Sequence, residues 1–187
     1  MTPLETLRFG GRIHLIQGDA ELEGLKTTLS SVGLLGFDTE TKPSFRKGEV
    51  YGVALVQLAT ADEAFLIRMQ KVSTFTILKE IFENEQIVKV GVAIRDDLKQ
   101  LQKIFPFAPA HFVELQTVAK SHNLKNMGLK GMTEEVLGAT ISKGAKITNW
   151  EASELTPQQI LYAATDAWIG LRLYQALRAR PTPDSQK

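Results

Sequence analysis

The stretch Leu34-Leu-Gly-Phe-Asp-Thr-Glu-Thr41 decides the fold of this 187-residue chain. Its apolar start predicts a mostly buried strand over 32–40, with Asp38 and Glu40 near the end. Alternate side chains of a strand share one face, so these two carboxylates point the same way, roughly 7 Å apart along the backbone. Two like charges this close repel each other unless a cation or a shared proton lies between them. The pair therefore favours a divalent metal such as Mg²⁺ or Mn²⁺, whereas the alternative places both acids in a solvated loop.

The sequence on either side of this strand predicts an α/β fold with a mixed central sheet. Hairpin strands come first, and strands then alternate with helices, a pattern typical of a sheet with helices packed on it. Asp19 is expected to cap the first helix, and Thr156-Pro157 gives the last helix its start signal. The further strands are predicted at 13–16, 51–60, 64–68, 87–92 and 112–114. The helices are predicted at 19–30, 74–83, 94–104, 115–122, 128–137 and 156–178.

The composition fits one globular domain, which we expect to span 1–180. Hydrophobic residues make up 43% of the chain, enough for a sizeable core. The polar, proline-bearing stretch 181–187 predicts a disordered tail. There is no cysteine, which excludes disulfides and thiolate–zinc sites. The formal net charge of +1 does not indicate a strongly basic fold, so attraction to a polyanion must come from local basic clusters or bound metal.

The chain carries no recognisable targeting or membrane-spanning signal. Its first residues lack the charged start and apolar run of a signal peptide. No stretch approaches the ~18 uninterrupted apolar residues that a membrane helix needs. We therefore expect a cytoplasmic protein without a membrane partner, and the sequence gives no indication of its oligomeric state.

A second acidic site follows the strand predicted at 87–92. If a helix begins at Ile94, apolar residues recur every three to four positions along it and form its buried stripe. Asp96 then lies nearly opposite that stripe, whereas Asp97 lies at its edge and can lean towards the end of the sheet. The periodicity favours Asp97 as the functional acid and Asp96 as a surface acid near the helix start. Taken alone, either acid is explained as an ordinary helix-start residue.

A third site lies in the last predicted helix, which is apolar on two sides. Asp166 falls on one of the two apolar stripes, so its surroundings should be buried. A buried carboxylate without a partner is costly, and a metal ion removes that cost. Tyr162 precedes it by one helical turn, about 6 Å along the axis, so both side chains face the same place. The alternative is a core tyrosine with Asp166 bonded to a basic side chain.

The chain resembles the DEDD superfamily of 3′–5′ exonucleases, in its tyrosine-bearing branch. It is similar to the ribonuclease D group and to the exonuclease domain of the Werner syndrome helicase. The match runs over roughly 33–175. The residues that carry it are Phe37-Asp-Thr-Glu-Thr41, Gly91-Val-Ala-Ile-Arg-Asp-Asp97 and Tyr162-Ala-Ala-Thr-Asp166, supported by Gly52-Val-Ala-Leu-Val-Gln-Leu58, Asn149-Trp150 and Leu155-Thr-Pro-Gln-Gln159.

The resemblance implies a ribonuclease H-like fold and hydrolysis of phosphodiester bonds at the 3′ end of DNA or RNA. It also implies that two divalent ions, Mg²⁺ or Mn²⁺, are held by four acids, with a tyrosine that orients the attacking water. The products would be nucleoside 5′-monophosphates. On this chain the four acids are Asp38, Glu40, Asp97 and Asp166, and the tyrosine is Tyr162.

The candidate nucleic-acid contacts lie in two segments. The loop after the first acids offers cations for phosphates and an aromatic ring for base stacking, although its proline and glycine equally suit a plain solvated loop. A second group precedes the last helix and could line a strand-binding channel, with packing as the alternative for its tryptophan. Single strands or frayed 3′ ends are the expected substrates, because the phosphate must reach a recessed site. The residues are Thr39, Thr41, Lys42, Phe45, Arg46, Lys47, Lys143, Lys146 and Trp150.

Two other hypotheses are compatible with some of these residues. A haloacid dehalogenase-type phosphatase also begins with an aspartate after an apolar strand. That family expects glycine and threonine after its second acid, and it gives Tyr162 and Asp166 no role. The other hypothesis is a catalytically inert nucleic-acid-binding protein of the same fold, against which the presence of all four acids and the tyrosine argues.

Overall fold

A six-stranded mixed sheet forms the centre of the computed structural model, which describes residues 2–183. The sheet order is β1-β4-β3-β2-β5-β6. Of the tail predicted at 181–187, residues 184–187 lie outside the described residues. The strands are β1 (Arg12–Ile16), β2 (Leu34–Thr41), β3 (Val53–Ala59), β4 (Glu63–Arg68), β5 (Val88–Gly91) and β6 (Phe112–Glu114).

The strand directions follow from the lengths of the connections. A short turn joins β3 to β4, and β2, β3 and β4 pair antiparallel. The connections from β2 to β5 and from β5 to β6 are long, and these neighbours pair parallel, as β1 does with β4. The predicted mixed sheet is therefore confirmed, and β2 lies inside it between β3 and β5.

Helices cover both faces of the sheet. They are α1 (Asp19–Glu23), α2 (Leu25–Thr28), α3 (Thr76–Glu83), α4 (Ile94–Gln102), α5 (Leu115–Ser121), α6 (Leu129–Met132) and α7 (Pro157–Arg178). A π-helical turn at Thr133–Leu137 continues α6. One face of the sheet packs on a phenylalanine-rich core that includes side chains of α1 to α4. The other face packs mainly on α7, which crosses the sheet above β2 and β3.

The single helix predicted at 19–30 is wrong. It is divided at Gly24 into α1 and α2, at the residue with the least helix-favouring backbone after proline. Asp19 does not cap its own helix either. Its carboxylate accepts hydrogen bonds from the backbone N–H groups of Ser73 and Thr74, 2.7 and 3.2 Å away, and so fastens α1 to the start of α3.

None of the helices within residues 2–183 has both the length and the apolar character required to cross a bilayer.

Candidate metal centre

Gly36 allows α7 to lie directly on the backbone of β2. A Cβ atom at this position would stand 1.9 Å from the backbone carbonyl oxygen of Ala167, so any side chain there would push the helix away. Gly36, Asp38 and Glu40 alternate along β2 and face α7, while Phe37 between them points into the phenylalanine-rich core. This close contact places the middle of α7 above the two acids.

Three carboxylates meet where β2 and α7 touch. Asp38, Glu40 and Asp166 each offer one oxygen atom, and these three atoms lie within 4.8 Å of one another. Glu40 and Asp166 are each 8% exposed. Within residues 2–183, no basic side chain forms a salt bridge with any of the three. Glu40 and Asp166 are buried, Asp38 is partly buried, and no described basic side chain is paired with them, so the cluster suits a divalent cation, for which carboxylate oxygens are the preferred ligands.

The electrostatics of the cluster show how unfavourable three negative charges are there. Burial, with the charges of Asp38 and Asp166, raises the pKa of Glu40 to about 10. Burial raises the pKa of Asp166 to about 7. The pKa of Asp38 is raised well above its usual value by burial and by the charges of Asp166 and Asp97. A bound cation would offset this repulsion and restore the ionised carboxylates.

Tyr162 adjoins the cluster from the preceding turn of α7. Its hydroxyl donates a hydrogen bond to the carboxylate of Asp166. Burial and the charges of Asp166, Glu40 and Asp38 raise the pKa of the phenol above its ordinary value. Tyr162 therefore stays protonated at neutral pH, its one proton is directed to Asp166, and its oxygen can accept a hydrogen bond from a neighbouring group and so orient it.

Asp97 lies beside the cluster and outside the group of three. The hydroxyl of Thr39, on the opposite face of β2 from Asp38, donates a 2.6 Å hydrogen bond to Asp97 Oδ1. Burial raises the pKa of Asp97 to about 6, and its charge contributes to the raised pKa of Asp38. The neighbouring Asp96 is exposed. Asp97 is thus the acid that faces the sheet, as the helical periodicity indicated.

The start of α4, which carries Asp97, is fixed by a carboxylate that the sequence analysis did not identify. Glu114, at the end of β6, accepts hydrogen bonds from the backbone N–H groups of Ala93 and Ile94, both 2.8 Å long, and of Gln116 at 3.0 Å. Ala93 has a left-handed backbone, with φ 55°. The sequence did offer one indication of this role. Glu114 ends β6, which runs parallel to β5, and the ends of neighbouring parallel strands lie at the same edge of a sheet.

A cleft of about 400 Å³ opens above the acids and has a basic wall. Asp38, Asp166 and Tyr162 line it together with three lysines. Lys143 and Lys146 were predicted from the sequence, whereas Lys130, on α6, was not. The charge of Lys146 lowers the pKa values of Asp38 and Asp166, which places its ammonium group near the cluster. The cleft is thus anionic at its floor and cationic along its side. The three lysines are Lys130, Lys143 and Lys146.

The loop after β2 is a separate surface. Phe45 is 78% exposed, Arg46 and Lys47 are exposed, and none of the three lines the cleft. Lys42 turns back over the ring of Tyr51, 4.8 Å from its centroid. Thr41, the last residue of β2, is exposed. The loop offers an aromatic ring and cations to solvent close in sequence to the acids.

Two of the predicted nucleic-acid contacts are engaged inside the protein. Trp150 is 1% exposed, and its indole N–H points to the carbonyl oxygen of Lys146 at 3.4 Å. Its ring has no face open to a base, so packing is the interpretation that the structure supports. Thr39 is buried and directs its hydroxyl to Asp97. Neither side chain presents its group to the cleft, so the structure gives no support to these two predicted contacts with nucleic acid.

Comparisons with known proteins agree with this geometry. The family model described as 3′–5′ exonuclease matches residues 13–180. A mouse relative, the bifunctional 3′–5′ exonuclease/ATP-dependent helicase WRN, is 37% identical over 161 residues, which are 83% of this chain and 12% of the relative. The chain therefore spans a small part of that protein's length.

Two solved structures share the fold. The EXO domain of Nibbler from Aedes aegypti superposes with a TM-score of 0.84 at 22% identity, over 97% of each chain, which establishes the likeness of fold. Ribonuclease D from Escherichia coli superposes with a TM-score of 0.78 at 26% identity, over 90% of this chain and 46% of that one. These matches do not favour the phosphatase hypothesis. Because the family model covers most of the sequence and the acids meet on the shared fold, the chain belongs to the 3′–5′ exonuclease family.

Proposed function

We propose that this chain is a metal-dependent exonuclease that removes nucleotides from the 3′ end of DNA or RNA and releases nucleoside 5′-monophosphates. The observation that carries the proposal is the meeting of Asp38, Glu40 and Asp166, two of which, Asp38 and Asp166, line a cleft that also contains three lysines. The family membership and the printed names of the relatives, exonuclease and ribonuclease D, support it.

The acids fit a site for two divalent ions, Mg²⁺ or Mn²⁺. Asp38, Glu40 and Asp166 would hold one ion, since their oxygens already lie within 4.8 Å of one another. Asp97, whose charge raises the pKa of Asp38, would hold the second together with Asp38. When bound, such ions lower the pKa of a water molecule and stabilise the oxygen that leaves the phosphate.

Tyr162 would orient the attacking water, as in the tyrosine branch of the superfamily. Its hydroxyl is anchored on Asp166, and its raised pKa keeps the phenol neutral. A neutral phenol is a poor general base but a good hydrogen-bond partner at a fixed position. We therefore assign Tyr162 a positioning role. The proton of the attacking water would pass to solvent or to one of the carboxylates of the site.

The substrate is a single strand or a frayed 3′ end, because the acids lie at the floor of a cleft and a paired duplex would have to open to reach them. Lys143 and Lys146 line the cleft and would contact the strand's phosphates. The loop residues Thr41, Lys42, Phe45, Arg46 and Lys47 would contact the strand outside the cleft, where Phe45 can stack on a base.

The decisive experiment is digestion of DNA and RNA oligonucleotides, labelled at either end, with Mg²⁺, Mn²⁺ or a chelator. A 5′-labelled strand should shorten stepwise, and a 3′ label should appear at once as a mononucleotide. Asp38→Asn should keep the fold and abolish hydrolysis, because it removes a charge shared by both proposed ions. Internal cleavage products, or hydrolysis that survives the chelator, would contradict the proposal. Release of phosphate from monoesters alone would favour a phosphatase.

A further inference from the structure

Gln57 is a buried amide directly behind the acidic cluster. It lies on β3, is 0% exposed and pairs with Asp38 in the antiparallel register of β2 and β3. Its Nε2 atom donates to Glu40 Oε1 at 3.2 Å and to the carbonyl oxygen of Ala163 at 3.4 Å. Ala163 follows Tyr162 on α7. One side chain thus joins the strand that carries Asp38 and Glu40 to the helix that carries Tyr162 and Asp166.

The surroundings of Gln57 fix its orientation. Both neighbours of Nε2 are acceptors, so turning the amide over would set its oxygen against a carboxylate and a carbonyl. In the observed orientation Oε1 is buried, and none of the residues that the structure describes donates a hydrogen bond to it. An unsatisfied buried acceptor destabilises a protein. Gln57 therefore weakens the fold locally, and its favourable contribution lies in the two contacts that Nε2 makes.

Glu40 has no other support of this kind. Across residues 2–183, Gln57 is the only hydrogen-bond donor to its carboxylate. A glutamate side chain has three rotatable torsions. Without a hydrogen bond to hold it, its carboxylate would therefore sample several positions. The hydrogen bond holds Oε1 on the β3 side and leaves the second oxygen available to a ligand.

We propose that Gln57 is a positioning residue that orients Glu40 for metal binding and keeps α7 in register with β2. This inference rests on the proposed function, since it takes Glu40 as a metal ligand. Outer residues that orient metal ligands typically change metal affinity or activity by about 10–100-fold when they are replaced.

The test is Gln57→Met, which keeps the volume of the side chain and removes the amide. We expect a folded protein with an unchanged or higher melting temperature, because the unsatisfied oxygen is removed as well. Mn²⁺ affinity, measured by calorimetry without nucleic acid, should fall about 10–100-fold. Turnover should fall similarly at low Mn²⁺ and recover as Mn²⁺ is raised. Unchanged Mn²⁺ affinity in this folded variant would overturn the proposal.

The matched control is Leu55→Met. Leu55 is also 0% exposed, lies on the same face of β3 and pairs with Glu40. It donates no side-chain hydrogen bond, so its replacement should leave Mn²⁺ affinity unchanged. A second variant, Gln57→Asn, keeps an amide that is too short to reach Glu40 and should reproduce the loss of affinity. Wild-type protein that binds Mn²⁺ but does not shorten oligonucleotides would overturn the exonuclease proposal alone, and absence of Mn²⁺ binding would overturn both.

Discussion

The charge of Asp166 is unfavourable for the stability of the metal-free protein, although the proposed metal site requires it. It is buried on α7 beside two other carboxylates, and its pKa is raised to about 7 from the ordinary 3.8. A group with a raised acid pKa binds more protons in the folded than in the unfolded protein between those two values. Its contribution to stability is therefore fully present below about pH 4 and lost as the pH rises towards 7.

This sign gives a pH prediction for Asp166→Asn in metal-free protein. Near pH 4 the variant and the wild type should melt at similar temperatures. Above pH 7 the variant should melt several degrees higher, because it no longer carries the buried charge. Thermal unfolding across the pH range measures the difference, and Leu55→Met serves as a control without a charge change.

Addition of Mn²⁺ should reverse that order at neutral pH. The wild type gains stability from a ligand that binds only the folded state, whereas the variant lacks one of the ligands. A wild-type melting temperature that does not respond to Mn²⁺ would contradict the assignment of these acids to a metal site.

At the residue scale, the sequence predicts which side chains face one another and does not predict what supports them. Strand alternation put Asp38 and Glu40 on one face, and helical periodicity put Asp97 rather than Asp96 towards the sheet. Gln57 lies within a motif used for the family resemblance, yet no local pattern indicates its bond to Glu40, since the partner is on another strand. The burial of Thr39 and Trp150 could not be predicted, because it depends on elements far away in sequence.

At the scale of elements, the packing of α7 on β2 determines whether a cluster exists. The helix starts at a capping box, in which Thr156 and Gln159 satisfy each other's backbone N–H groups. The segment before it is held by the buried Arg68 on β4, which donates to the carbonyl oxygens of Ala152 and Ser153. These contacts set the start of α7, and Gly36 sets its distance from the sheet.

Gly36→Ala should therefore damage both the fold and the centre. The new methyl group would meet the Ala167 carbonyl oxygen at 1.9 Å, so the helix must move. We expect a loss of about 3 kcal/mol or more in the free energy of unfolding, together with loss of Mn²⁺ binding. Denaturant unfolding and calorimetry measure the two effects.

Gly33→Ala is the matched control for that substitution. It adds the same methyl group just before β2, where the nearest atom, the carbonyl oxygen of Gln86, is 3.9 Å away. Its effect on stability should stay within about 0.5 kcal/mol. Equal effects of the two alanines would contradict the role given to the contact between Gly36 and α7.

The elements that the sequence predicts best are those with strong local signals. The mixed sheet and α7 with its Thr156-Pro157 start are observed as expected. The prediction of one helix over 19–30 failed because apolar spacing continues through Gly24, whereas the helix is interrupted at this glycine, although its backbone stays right-handed. The hydrogen bonds from Ala93 and Ile94 to Glu114 also could not be predicted, because they join residues about 20 positions apart and no short sequence pattern marks them.

For the whole molecule, the distribution of charge over the surface matters more for binding than the net charge. The formal net charge is +1, so long-range attraction to nucleic acid is weak. Lys130, Lys143 and Lys146 concentrate positive charge at the cleft, close to the acids. Binding should thus depend on a few phosphate contacts at one place.

Lys146→Gln tests this distribution. In an Asp38→Asn background, which prevents degradation, the variant should bind a single strand more weakly. The slope of log affinity against log salt should decrease by about 0.7, the value for one phosphate contact on a single strand. Fluorescence anisotropy over a salt series measures it. Lys26→Gln, an exposed lysine of α2 outside the cleft, should leave the slope unchanged.

The bond between Gln57 and Ala163 joins residues 106 positions apart, and it has a consequence for protein synthesis. The ribosome releases β2 and β3 long before α7, so a nascent chain carries Asp38 and Glu40 without Asp166. Until the last helix has emerged and docked, the emerging polypeptide lacks the third carboxylate and Tyr162. The complete cluster of carboxylates can therefore assemble only after α7 has been synthesised and has docked on β2.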